Sequence, residues 1–133
     1  MRRLAIVPFL LLVSCSDPAG PNGKFCDVVK RILVTADPMT QGAAFSDSRV
    51  LADGMAVRVK AYDDLVLVAP VAINPDAVVV SATLRKIADA FSAAGNTSSA
   101  ANEAPISTLL RDQKFLDADK NVARYSTTAC REK

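Results

Sequence analysis

Apolar residues recur at intervals of three and four along most of this chain, and that spacing restricts what it can fold into. Such a period is typical of amphipathic helices and not of strands, whose apolar residues alternate. Alternating segments are rare here, and the expected domain over 24–133 has no Asn-Gly hairpin turn. We therefore expect an all-α fold, an antiparallel bundle of four main helices plus one short helix. The expected ranges are 25–36, 47–68, 74–94, 106–114 and 118–131.

The apolar stripes also predict which side chains form the core. Each long helix has one dominant stripe, and the second helix has a broader apolar face that suggests more than one neighbour. The expected core residues are Phe25, Val28, Val29, Ile32 and Leu33 in the first helix, Leu51, Met55, Val59, Tyr62 and Val66 in the second, and Val80, Leu84, Ile87, Ala88 and Phe91 in the third.

Two prolines, Pro70 and Pro75, compete for the start of the third helix. Asn74 offers a cap for a helix that has Pro75 at its first position and Asp76 in its first turn. The run 78–80 is three valines, which alone could form a strand, but the longer period favours a helix. The sequence leaves both starts open.

The first fourteen residues have the composition of an export signal. Arg2 and Arg3 precede an apolar run over 4–13, which is too short to span a bilayer. The run ends in Leu-Val-Ser-Cys at 12–15, which resembles the bacterial lipobox. In proteins with that motif, the cysteine thiol receives a diacylglycerol and the signal is cut just before it. The resemblance implies lipidation of Cys15 and a lipid anchor on the extracytoplasmic face of the cell membrane; a simple signal peptide with a chance cysteine is the alternative.

The chain then divides into a signal peptide over 1–14, a lipid-anchored tether over 15–23 and one helical domain over 24–133. The tether is rich in proline and glycine. The chain has 16 Lys+Arg against 14 Asp+Glu, and the excess is Arg2 and Arg3 of the signal. A neutral mature chain has no basic surface for nucleic acid, so we expect no nucleic-acid partner.

Two cysteines, Cys26 and Cys130, remain after Cys15 is assigned to the lipid. They stand at opposite ends of the expected domain, in a chain that would reach an oxidising compartment. Two cysteines allow one intramolecular pairing, so we predict a disulfide that joins the first helix to the last. A redox-active pair, which would lack a CxxC motif, and two free thiols are the alternatives.

Residue types and their spacing argue against catalysis. The chain has no histidine, which excludes Ser-His-Asp triads, Cys-His dyads and histidine-ligated metals. Asp63 and Asp64 are adjacent, and adjacent helical side chains do not face each other. Asp112, Asp117 and Asp119 lack the calcium-loop pattern, and capping of the last helix explains the latter two. We expect no catalytic residue, metal or cofactor, and hence no enzyme.

The chain resembles a group of small exported helical proteins and lipoproteins of actinobacteria. The likeness lies in Phe25-Cys26, in the Ala-Pro-x-x-Ile turn at 69–73, and in Tyr125 five residues before Cys130. Pro75 departs from the group, which usually has a charged residue there. The resemblance implies a fold and an exported location, and no activity.

Two functions follow from these patterns. The first is a lipid-anchored, non-catalytic interaction or structural module of the cell envelope. The alternative is a carrier or binding protein for an apolar envelope ligand such as a lipid, which the broad apolar face of the second helix suggests. The sequence names neither a protein partner nor a ligand.

Overall fold

The computed structural model describes residues 22–35, 37 and 47–131, and across these residues the chain is helical with no strand. The expected all-α bundle of four main helices and one short helix is confirmed. Residues 1–21, with the predicted signal peptide and Cys15, lie outside the described residues. The helices are α1 (Gly23–Val34), α2 (Ser48–Val68), α3 (Asn74–Ala93), α4 (Ile106–Leu110) and α5 (Gln113–Ala129), with a 3-10 turn over Ser98–Asn102. Gly23, expected in the tether, is the first residue of α1.

Of the two prolines, Pro75 and not Pro70 lies at the start of the third helix. Asn74 is the first residue of α3, and Pro75 follows it in the first turn, where its missing N–H costs nothing. The sequence suggested that the side chain of Asn74 caps α3, but it makes no capping hydrogen bond. Its amide donates a 2.9 Å hydrogen bond to the backbone carbonyl of Val66, so it ties the end of α2 to the start of α3.

The predicted start of the last helix is wrong by five residues. The helix begins at Gln113 because the Asp112 carboxylate accepts the backbone N–H of Phe115 at 2.9 Å. The short helix α4 accordingly ends at Leu110, before the predicted 114. Asp117 and Asp119, taken as the capping residues from the sequence, lie inside α5.

The core is shared by all four main helices. α2 packs along α3, α3 packs against α5, and α1 packs against α2. A larger cluster joins these four helices, and a smaller one joins α2 and α3 to α4. Most of the predicted stripe residues are buried, but Leu33 is exposed. Among the described residues, no helix is long and apolar enough to cross a membrane.

The predicted disulfide is present and joins α1 to α5. The Cα atoms of Cys26 and Cys130 lie 5.4 Å apart, a usual separation for bridged residues. Beside the bond, the rings of Phe25 and Tyr125 meet edge to face with centroids 5.6 Å apart. Arg31 pairs with Asp64 and Asp37 with Arg58, so α1 runs antiparallel to α2, and the start of α1 and the end of α5 lie near the α2–α3 turn. We call this part of the bundle the disulfide end. The alternative of two free thiols is wrong.

Candidate ligand-binding pocket

A pocket of about 410 Å³ lies between α1, α2 and α5 and opens to the surface. Pockets for small molecules usually measure about 300–1,000 Å³. α1 and α5 approach each other at few positions, although each packs well against another helix, and the pocket occupies the gap between them. The lining residues are Val29, Lys30, Ile32, Leu33, Tyr62, Leu65, Asp119, Val122, Ala123, Ser126, Thr127, Cys130 and Arg131.

The wall of the pocket is largely aliphatic. Leu65 is fully buried and forms the floor on α2, and Val29 and Val122 face it from α1 and α5. Leu33 lies at the rim and is 78% exposed. The sequence placed Leu33 in the core, but this residue lies at the open edge of the pocket and is not covered by the bundle.

The hydroxyls of the lining residues on α5 do not make the pocket polar. Ser126 donates to the carbonyl of Val122 at 2.7 Å, and Thr127 donates to that of Ala123 at 3.0 Å. Both donors are therefore satisfied within their own helix. What remains toward the pocket is mainly carbon, including the methyl groups of Thr127 and Ala123.

Besides these hydroxyls, the lining has the charged residues Lys30 and Arg131 and a polar pair, Tyr62 and Asp119. Burial raises the pKa of the Tyr62 hydroxyl above its ordinary value, and the nearby negative charge of Asp119 raises it further. Tyr62 therefore stays protonated, with its hydroxyl near the Asp119 carboxylate. An aliphatic wall with a few polar groups is the composition expected of a site that holds an apolar ligand in one orientation.

Arg58 supports Tyr62 from behind the pocket. Its guanidinium carbon lies 5.6 Å from the centre of the Tyr62 ring, within the range of a cation–π interaction. The same side chain pairs with Asp37 at 3.6 Å. Its Nε is buried and has no hydrogen-bond partner among the residues that the structure describes. The ring that lines the pocket is thus held in place by a charged group on its own helix.

Asp63 and Asp64, the most conspicuous carboxylates in the sequence, hold helices together. Asp63 accepts a 2.6 Å hydrogen bond from Ser81 and pairs with Arg85, both on α3. The Ser81 hydrogen bond is the main reason that the pKa of Asp63 is lowered. Asp64 pairs with Lys60 on α2 at 3.1 Å and with the α1 residue Arg31 at 3.4 Å. The two carboxylates point to different helices, as their spacing predicts.

The three aspartates near the start of α5 do not form one site either. Asp112 caps the helix, Asp117 accepts a 2.8 Å hydrogen bond from Gln113, and Asp119 faces Tyr62. Within the described ranges, no group of three or more Cys, Asp or Glu residues is arranged to hold a metal ion.

The sequence did not predict the pocket itself. The sequence places Tyr62 in the core stripe of the second helix. In the structure Tyr62 is buried and also lines the pocket, whereas Tyr125 packs on Phe25. Asp119 was considered only as a cap or a cation ligand. No protein-family model, curated protein or solved structure matches this chain.

Proposed function

We propose that this protein binds an apolar or amphipathic ligand, such as a lipid, in the pocket between α1, α2 and α5. The observation that carries the proposal is an aliphatic pocket of about 410 Å³ with Tyr62 and Asp119 in its lining. A bundle that served only as a rigid scaffold would gain stability by closing this gap, since empty apolar volume is destabilising. Binding of an apolar ligand, the second function suggested by the sequence, thus becomes the leading one.

The proposal predicts how affinity depends on ligand size. Burying one methylene group contributes about 0.8 kcal/mol, which is roughly a fourfold gain in affinity. A series of saturated fatty acids should therefore bind more tightly with each added carbon until the pocket is full. Affinity should then stop rising, because further carbons remain in water.

A pocket-filling variant tests the proposal directly. Ala123 lines the pocket, and Ala123→Phe places a ring within it, whereas Ala56→Phe adds the same ring at an exposed position on α2 outside the pocket. The probe is a dansyl-labelled undecanoic acid, titrated into the full chain and followed by fluorescence. We expect at least a tenfold loss of affinity in Ala123→Phe and none in Ala56→Phe. Equal affinities in the two variants would refute the proposal.

We further propose that Cys15 carries a diacylglycerol that holds the protein on the extracytoplasmic face of a bacterial cell membrane. The support is the match of Leu12-Val13-Ser14-Cys15 to the lipobox after a basic and then apolar segment. Two acyl chains provide stable anchoring, whereas one chain alone is marginal. Cys15→Ala should remove the acyl mass and the protein from the membrane fraction, and a retained acyl mass would refute the assignment.

The non-catalytic interaction or structural module stays as a second candidate. Exposed apolar side chains outside the pocket favour it, chiefly Leu67 and Val71. The two candidates differ in what the pocket-filling variant does in cells. Ala123→Phe should impair a ligand carrier and leave an interaction module unaffected. Turnover of an envelope substrate by the purified chain would contradict both.

A further inference from the structure

The α2–α3 turn is unusually apolar for an exposed segment. The eleven residues over 65–75 include no charged side chain. Leu67 is 82% exposed and Val71 is 92% exposed, and Ala72 beside it is also exposed. Turns at a protein surface are usually built from polar residues, Gly and Pro. A helix end and turn that present Leu67 and Val71 to solvent need another explanation.

The position of this turn relative to the N-terminal segment gives one. The turn belongs to the disulfide end, where α1 begins. Only seven residues lead from Cys15 to Asn22, and a chain of that length reaches at most about 25 Å. Helix α2 has 21 residues and is about 32 Å long. A lipid on Cys15 would therefore hold the disulfide end closer to the bilayer than the opposite end.

We propose that the disulfide end rests on the membrane surface, with Leu67 and Val71 inserted among the lipid headgroups. This inference relies on the lipid anchor proposed above. Lys24 and Arg131 are exposed at the same end and attract anionic lipid, while Asp27 in α1 and the half-buried Asp76 in the first turn of α3 offset their charge. Apolar side chains at a bilayer surface enter its interfacial layer to a depth of about 5–10 Å.

This orientation also gives the pocket access to lipid. Cys130 and Arg131 line the pocket and belong to the disulfide end. When that end lies on the bilayer, this part of the pocket is near the headgroups, and Tyr62 lies farther along α2. A lipid chain could then pass between the bilayer and the pocket without crossing much water.

The absence of tryptophan from the chain allows a clean test. Val71→Trp places a single fluorophore on the turn, and Val50→Trp places one at the opposite end of α2, where the native valine is also partly exposed. The full chain, expressed with the acylating enzymes, is reconstituted into vesicles of phosphatidylglycerol and acyl-brominated phosphatidylcholine. Bromine quenches tryptophan only at short range. We expect at least a twofold loss of emission for Val71→Trp and less than a tenth for Val50→Trp.

Other outcomes overturn the proposal. No quenching of Val71→Trp, or equal quenching of both variants, would exclude docking through this end. A blue-shifted emission without bromine quenching would indicate that a second copy of this chain, and not lipid, covers this surface. Failure of the anchor is separately visible, since the intact mass reports the acyl group on Cys15. If that group is missing, an excess of the same vesicles is added to the full chain, and unquenched Val71→Trp again refutes the docking.

Discussion

Removal of the Cys26–Cys130 disulfide should cost this bundle a large part of its stability. The bond joins residues 104 positions apart, so it closes almost the whole helical domain into one loop. In the chain-entropy description, a bridge across about 100 residues destabilises the unfolded state by about 4.7 kcal/mol. Residual structure in the unfolded chain reduces that value, and native disulfides of small exported domains usually contribute 2–5 kcal/mol. The total free energy of unfolding of a domain of this size is about 5–15 kcal/mol.

The loss of stability should affect α1 first. This helix has 12 residues, close to the length below which isolated helices are marginal in water. It packs against α2 but approaches α5 at few positions besides the bridge and the Phe25–Tyr125 contact. Without the bridge, α1 can separate from the bundle while α2, α3 and α5 stay packed. Amide hydrogen exchange in α1 should therefore accelerate more than exchange in α3.

The assay compares full-length chains that differ only in the bridge. The reference is Cys15→Ser, which removes the third thiol, and the test chain adds Cys26→Ser and Cys130→Ser. Urea titration followed by far-ultraviolet circular dichroism should show a loss of about 2–4 kcal/mol. At roughly 4 °C per kcal/mol for a domain of this size, Tm should fall by about 8–16 °C. A loss under about 1 kcal/mol, or equal acceleration of exchange in α1 and α3, would refute this reasoning.

Further predictions concern burial, capping and pH. Leu65→Ala should lower the free energy of unfolding by about 2–5 kcal/mol because Leu65 is fully buried, whereas Leu67→Ala on the same helix should change it by no more than about 0.5 kcal/mol. Similar urea midpoints for the two variants would contradict the assigned burial. Asp112→Ala should lower the free energy of unfolding by about 1 kcal/mol because it removes the cap of α5, and Asp117→Ala should lower it by about half of that or less. The reverse order would support a start of the last helix at 118, as the sequence predicted. The lowered pKa of Asp63 means that its contacts stabilise the fold above the ordinary carboxyl pKa and that this contribution is lost as pH falls through the lowered value. An NMR titration that finds an ordinary midpoint for this carboxyl would contradict its hydrogen bonds.

Local signals located helix ends well where one residue type was decisive. Asp47 caps α2 by accepting from the N–H groups of Arg49 and Val50, as its position before the apolar run predicts. Gly95 ends α3 with a φ of +70°, a conformation that glycine adopts without strain. The start of α5 was misjudged because three aspartates before or within it are all acceptable caps. The burial of Phe115 and Ala118 against the bundle, which depends on tertiary structure, favours Asp112 as the cap of α5.

The sequence by itself determined the class of fold and the pairing of the cysteines. Helical period is a local property, set by residues three and four apart, and one pairing is available once Cys15 is set aside. Tertiary structure alone decided which apolar residues are covered. Leu33 and Val29 belong to one stripe of α1, yet Leu33 stays exposed and Val29 is buried. The difference arises because the positions of α1 and α5 are fixed by their separate contacts with α2 and α3, and the gap between them is a property of the whole bundle.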